Sequence, residues 1–350
     1  MPDQTHTAPD MPLRPLGRGG PIVSQLALGT MTFGAETDAA EAHRQLDLFT
    51  EKGGTLIDTA DAYNRGQSEE IIGDWGRKRG GLSDLIVATK GRFAPPPGSA
   101  GASRRGLTRA VEGSLRRLGV EAIDLYFVHG WDPQTDVADT LGVLGDLVGS
   151  GKIHNIAWSN LAGWQLQKIV STAQAQRLPV PVAVQPQYNL LDRGIEIEVL
   201  PCCLETGIAL TPWSPLGGGW LTGKYGAEAR PSGASRLGED PARGVEAYHL
   251  RNTDRTYAIL NVLRAVAERY GRPMAHVALA WLLARPGVAS VLLGARTSDQ
   301  LADNLAAVDL VLEPSDLAAL TDVSAPGLPA YPYGFLRDWS KMDVWTRLGV

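Results

Sequence analysis

Cysteine is almost missing from this chain: two residues in 350, and those two, Cys202 and Cys203, are adjacent. Neighbours in sequence make a poor staple, so a disulfide framework is excluded and a reducing compartment is expected. An excess of positive charge is missing too. Lys and Arg number 33 against 38 Asp and Glu, a formal net charge of −5, which excludes the basic face of a general nucleic-acid binder. No run of 18 apolar residues occurs, so no membrane-spanning helix is expected. The first dozen residues, "MPDQTHTAPDMP", lack the basic and apolar blocks of a secretory signal. The expected location is the cytoplasm, with neither membrane nor nucleic acid as a partner.

Apolar residues make up 44% of the chain, ample for a core. Residues 1–12 read as a loose tail and 13–350 as one domain. "PLGRGGPIVSQLALGTMTFG" predicts a hairpin turned at Gly19-Gly20, then a strand ending near Gly29. Asp38 with Glu41 is a capping-box pattern opening a helix through about Lys52. From there short apolar strands alternate with amphipathic stretches. The strands are "TLID", "DLIVATK", "IDLYFVH", "IHNIAW", "VAVQP", "IALTPW" and "VASVLLG". Helices are predicted over 68–79, 103–118, the run "VADTLGVLGDLVGSG" stopped by Gly151, "WQLQKIVSTAQA", 196–205, 254–270, 273–284 and 298–307. A Gly- and Pro-rich irregular piece runs from Ser214 to about Arg243.

Eight strands, each followed by a helix, with near-continuous apolar strands, fit an α/β protein of the closed (β/α)8 TIM-barrel type. An open doubly wound sheet is the alternative, but its usual GxGxxG after the first strand is missing.

In such barrels reactive groups sit at the C-terminal strand ends. Those ends read Asp58 with Tyr63 five residues on, Lys90, His129, Ser159-Asn160, Gln185, Trp213-Ser214 and Gly294. Taken singly, each has an ordinary explanation: Asp58 a turn cap, Lys90 a snorkelling surface residue, His129 a hydrogen-bonded structural histidine, Tyr63 a loop residue. Four reactive ends converging on one mouth are poorly explained by chance. The chemistry they suit is carbonyl reduction. A free phenol, with a pKa of about 10, is too weak an acid at neutral pH without help. A nearby ammonium is expected to lower that pKa, and a carboxylate to keep the lysine charged and aimed. The imidazole can orient the substrate carbonyl. Hydride must come from elsewhere, which implies a nicotinamide.

With these residues assembled, the chain resembles the aldo-keto reductase superfamily over almost all of residues 13–324. "GTLIDTADAYNRGQSE", "SLRRLGVEAIDLYFVHGWDP", "VAVQPQYNLL" and "SVLLGARTSDQLADN" are similar to that family's signatures. The segment Trp213-Ser214-Pro215-Leu216 is most similar to bacterial oxidoreductases related to potassium-channel beta subunits. The resemblance implies a catalytic tetrad of Asp58, Tyr63, Lys90 and His129, with NADPH or NADP+ as cofactor and no metal. It implies that Ser159, Asn160 and Gln185 hold the nicotinamide carboxamide, with Trp213 stacked on the ring. Ser214, Leu216 and Gly217 would line the pyrophosphate through backbone amides, and Thr30 and Met31 would touch the ribose and nicotinamide. Gly294, Arg296, Gln300, Asp303 and Asn304 match the adenosine end. Arg296, just before a helix N-terminus, is the expected clamp for a 2′-phosphate, with Lys224 and Arg236 as further phosphate contacts.

The chain departs from the pattern in places. Ala157 and Trp158 precede Ser159-Asn160 where many relatives have Gly and a small apolar residue. Strand alternation is expected to turn Trp158 towards the helices. The loop "GRFAPPPGSAGA" after Lys90 is expected to overhang the substrate, and the tail "PAYPYGFLRDWSKMDVWTRLGV" either to close the same pocket or to pack on the barrel. Three functions compete on these residues. A small-molecule carbonyl reductase uses all of them. A dinucleotide-binding regulatory subunit has no need of the full tetrad, and a barrel lyase no need of Gln185, Trp213 and the last signature. The particular carbonyl and the oligomeric state are left open.

Overall fold

The computed structural model describes residues 11–93, 101–226, 231–233, 236–242 and 244–350. Most of the expected tail and of the proline-rich loop after Lys90 lies outside these residues. Of the residues assigned to the tail from sequence, Met11 is buried and exposed Pro12 is tied down by its carbonyl. Met11 is 6% exposed and the Pro12 carbonyl accepts from Gln25 N at 3.0 Å.

Strands β1 (Leu13–Pro15) and β2 (Ile22–Ser24) form the antiparallel hairpin. It closes the bottom of the barrel, where Leu16 and Val23 join the interior apolar cluster. Its turn needs glycine: Gly17 has φ of +70°, and a Cβ there would lie 2.1 Å from the Val182 carbonyl oxygen.

Eight parallel strands follow: β3 (Leu26–Gly29), β4 (Leu56–Asp58), β5 (Ile86–Gly91), β6 (Ile123–Val128), β7 (Ile153–Ser159), β8 (Ala183–Gln185), β9 (Ala209–Leu210) and β10 (Val291–Gly294). Each pairs with the next, and β10 returns to β3 with Val291 opposite Leu26. The remaining gap is bridged by Leu210, which donates to Gly287 O (2.7 Å) and accepts from Ala289 N (3.0 Å), and by Leu292 N donating to Pro212 O (3.0 Å). The sheet is therefore a closed (β/α)8 barrel. β8 and β9 are shorter than the apolar runs predict, because Pro186 and Pro212 have no N–H for the ladder.

The outer layer is α1 (Ala39–Glu51), α2 (Gln67–Arg79), α3 (Arg104–Leu118), α4 (Val137–Gly149), α5 (Gly163–Gln176) and α6 (Val199–Thr206), then α7 (Arg236–Glu239), α8 (Tyr248–Arg251), α9 (Asp254–Tyr270), α10 (Met274–Leu283) and α11 (Ser298–Leu305). The helix predicted over 196–205 begins as a separate turn at Gly194–Glu196. Asp38 caps α1 by accepting from Glu41 N at 2.9 Å. The reciprocal arm of the capping box is not made: Glu41 instead accepts from the Ser298 hydroxyl (2.7 Å) and amide at the start of α11.

Alternation along the strands places the site. The interior cluster takes Leu56 from β4, Ala88 from β5, Leu125 and Phe127 from β6, Ala157 from β7 and Ala183 from β8. Two residues on from each, with the same inward orientation, come Asp58, Lys90, His129, Ser159 and Gln185. Trp158, between Ala157 and Ser159, packs outward in the helix-side core, as alternation requires.

Beyond the barrel, α12 (Pro314–Val323), α13 (Phe335–Trp339) and α14 (Val344–Leu348) form the C-terminal extension. It packs on the barrel rather than over its mouth. Trp345 Nε1 donates to Ile197 O (2.9 Å), and Tyr333 OH to Glu198 (2.6 Å). Fully buried Arg193 is paired with Glu196 at 2.8 Å and donates to the carbonyls of Leu348 and Gly349 (3.3 and 3.0 Å). Among the described residues no helix is long and apolar enough to cross a membrane.

Candidate active site

After Asp58 the chain stays bonded to β5: Thr59 N donates to Ala88 O (2.8 Å) and Asp61 N to Lys90 O (3.0 Å). A turn at Asn64, Arg65 and Gly66, with φ of 47°, 57° and 93°, then reverses the chain into α2. The Asn64 amide fixes that turn on Phe33 O at 2.6 Å. These bonds bring Tyr63 back over Lys90. Lys90 Nζ, wholly buried, donates to Asp58 Oδ1 (2.5 Å), Thr59 O (2.8 Å) and Tyr63 OH (3.2 Å). Gln185 Nε2 donates to the other Asp58 oxygen at 2.8 Å. His129 completes the group, its ring edge-on to Tyr63 with centroids 6.0 Å apart.

Burial opposes charge on all these groups, and their contacts decide how far. On Lys90 the attraction of Asp58 and Tyr63 outweighs burial and holds the ammonium above its ordinary pKa. Burial raises Asp58 against the pull of Lys90 and Gln185. Burial likewise raises Tyr63, and Lys90 only partly offsets it. The sequence-based expectation of a lowered phenol pKa is thus reversed in net direction, because desolvation is the larger effect. His129 is held down to about 3 by burial and by the charges of Lys90 and Arg92, so its imidazole is neutral at physiological pH.

The sequence reading missed Asp61. Its buried carboxyl oxygens have no side-chain hydrogen-bond partner among the described residues; the neighbouring Ala62 amide is the backbone group that favours the anion. Burial, with Glu69 beside it, pushes the carboxyl to about 7. Glu69 is itself committed to Thr89 Oγ1 and Arg117 Nε, both at 2.6 Å.

A cleft of about 690 Å³ runs across the mouth from Tyr63 and His129 to Arg296 and Asn304. Nearly every residue singled out in the sequence lines it: Thr30, Met31, Asp58, Ser159, Asn160, Gln185, Trp213, Ser214, Pro215, Leu216, Lys224, Arg236, Gly294, Gln300 and Asp303 as well. Lys90 lies beneath the wall, and Gly217 behind it, its amide bonded to Ser214 O at 3.0 Å. Gly218, Gly219 and Glu36, which no sequence signal marked, are in the wall. The polar groups near Tyr63 are already cross-linked. Ser159 Oγ donates to Gln185 O (2.7 Å), Asn160 Nδ2 to His129 O (3.1 Å) and Trp213 Nε1 to Asn160 Oδ1 (3.1 Å). Each amide keeps a further donor, and Gln185 Oε1 has no partner among the described residues, so a ligand carboxamide can still be held. Ser214 adopts φ of 54°, pinned by Asn189 Nδ2 on its carbonyl at 2.8 Å.

At the far end Arg296 gives its fork to Glu239 (2.6 and 2.8 Å), with Glu36 at 3.8 Å. Arg236 Nε lies 3.2 Å from Glu246, and Asp303 lies 3.4 Å from His276. A long cleft with carboxamide partners at one end and cations at the other fits a dinucleotide.

Residues 25–325 match the family model described as "Aldo/keto reductase family". The uncharacterized oxidoreductase YrpG of Bacillus subtilis (strain 168) is 36% identical over 319 residues, covering 88% of this chain and 94% of that protein. A probable voltage-gated potassium channel subunit beta of Oryza sativa subsp. japonica is 33% identical over 308 residues, covering 86% and 92%. The norsolorinic acid reductase stcV of Emericella nidulans is 32% identical over 344 residues, covering 93% and 85%. With these matches spanning the whole barrel and the strand ends that meet at its mouth, the chain belongs to the aldo/keto reductase family of oxidoreductases.

Proposed function

We propose that the protein is an NADPH-dependent reductase of aldehydes or ketones in which Tyr63 delivers the proton. The observation that carries this reading is one buried ammonium, Lys90, touching both Asp58 (2.5 Å) and the Tyr63 phenol (3.2 Å) at the cleft wall. A nicotinamide dinucleotide, when bound, supplies the hydride that no side chain can. Ser159, Asn160, Gln185 and Trp213 would hold its nicotinamide, the turn after Ser214 its pyrophosphate, and Arg296 with Lys224 its 2′-phosphate.

The chain's own groups manage the proton. A phenol held above its ordinary pKa stays protonated through neutral pH. An alkoxide is far more basic than a phenolate, so transfer from Tyr63 to the developing alkoxide runs downhill. Lys90, kept charged by Asp58, stabilises the phenolate left behind. Neutral His129 can donate a hydrogen bond to the carbonyl oxygen and orient it beside Tyr63.

A regulatory subunit that binds the dinucleotide without useful turnover is the second reading, favoured by the potassium-channel relative. The complete set of Asp58, Tyr63, Lys90 and His129 favours the enzyme, as does the relative named as a reductase. Following NADPH absorbance with a panel of aldehydes and ketones separates them. Steady oxidation supports the reductase, whereas tight binding with no turnover on any carbonyl refutes it.

A further inference from the structure

Arg92, one residue past β5, combines three unusual features. Its backbone sits at φ of +113°, a region that costs a non-glycine residue strain and often marks a functional site. Among the described residues its buried Nε has no hydrogen-bond acceptor, and no carboxylate forms an ion pair with it. Its guanidinium lies over the Phe93 ring, Cζ 4.4 Å from the centroid. The one nearby carboxylate whose charge it influences, Asp132, is committed elsewhere, accepting from Ala102 N (2.7 Å), Gln134 N (3.0 Å) and Thr135 Oγ1 (2.9 Å).

Phe93 in turn stands 5.1 Å from the His129 ring and is 48% exposed. Tyr63, His129, Phe93 and Arg92 therefore form a chain of adjacent groups leading away from the proton donor, with Phe93 exposed and Arg92 half-buried behind it. Met31, 39% exposed, adds a second apolar surface on the cleft wall. A guanidinium with no ion-pair partner among the described residues, at the far end of an apolar ledge, calls for an anion, and its fork matches a carboxylate.

We propose that the site takes carbonyl substrates built on a flat apolar body that ends in a carboxylate, with Phe93 and Met31 against the body and Arg92 binding the carboxylate. This rests on the reductase reading above. The test uses two aldehydes that differ in charge, 4-formylbenzoate and its methyl ester, each with NADPH. One charge-assisted contact should favour the acid in kcat/KM by about tenfold or more in the wild type. Arg92→Lys should keep part of that ratio and Arg92→Gly should bring it near one. The glycine variant suits the left-handed backbone, so its fold should survive. A wild-type ratio near one, or a ratio that persists in Arg92→Gly, overturns the proposal. Should neither aldehyde be reduced, the reductase reading falls and equilibrium binding, read by quenching of tryptophan fluorescence, decides on Arg92. Acid bound at least tenfold more tightly than ester by wild type, but not by Arg92→Gly, upholds the anion site; equal binding of the two removes it.

Discussion

Asp61→Asn should make the protein more stable at neutral pH, by an amount that depends on pH in a defined way. The Asp61 carboxyl is buried with no side-chain hydrogen-bond partner among the described residues, and burial with Glu69 moves it from 3.8 to about 7. A carboxyl whose folded pKa is raised keeps a proton, between those two values, that the unfolded chain has released. Stability then falls as pH rises through the window, by about 1.4 kcal/mol per pH unit. Three units give a loss on the order of 4 kcal/mol by pH 7, which asparagine, unable to ionise, does not suffer. His129 works in the opposite sense. Held down from 6.5 to about 3, it must be protonated in the unfolded chain first, so its contribution to stability is lost as pH falls through that range. Where the two windows overlap their slopes offset one another, and the substitution should expose the histidine's slope. The assay is urea denaturation of wild type and variant from pH 4 to pH 8. The stability difference should be smallest near pH 4, grow with pH and level off near pH 7 to 8. A difference independent of pH, or one that shrinks as pH rises, would refute the assignment of Asp61 as a buried, neutral acid.

Tyr63→Phe should cut the reduction rate on the order of 100-fold or more while leaving NADPH affinity intact, since only the proton donor is removed; near-normal turnover counts against the proposed role. Because Tyr63 is held above its ordinary value, the wild-type reduction rate should show no loss of the acid anywhere between pH 6 and pH 9, as a kcat profile will show. Arg296→Ala should weaken NADPH at least about tenfold and spare NADH, whereas Glu239→Gln, by releasing the Arg296 fork, should tighten NADPH; titrations of both cofactors check this. Arg193→Ala should destabilise the protein by about 3 kcal/mol in denaturant titrations, because buried Glu196 would lose its nearest cation and keep only Arg285, at 3.3 Å, and the Tyr188 hydroxyl.

The alternation of apolar strands with amphipathic helices was legible in the sequence, and with it the barrel. In a parallel barrel every strand delivers its last residues to the same rim. Linear order alone was thus enough to bring Asp58, Lys90, His129, Ser159 and Gln185 together, and period-two alternation was enough to send Trp158 outward. Those are local rules, each satisfied within one strand and its flanking turns. What the sequence could not decide depends on partners far apart along the chain. Whether Lys90 or burial governs Tyr63 is a balance between charge and desolvation that exists only once the core is closed. Glu41 leaves its own helix cap for Ser298, 257 residues away, and Arg296 is held by Glu239. The aromatic tail packs against Ile197, Glu198 and Arg193, and among the described residues Asp61 and the Arg92 Nε are left without side-chain hydrogen-bond partners. A charged side chain carries no sequence signal of whether its partner will arrive. That depends on which surfaces the closing barrel brings within about 3 Å, the range at which hydrogen bonds and ion pairs form.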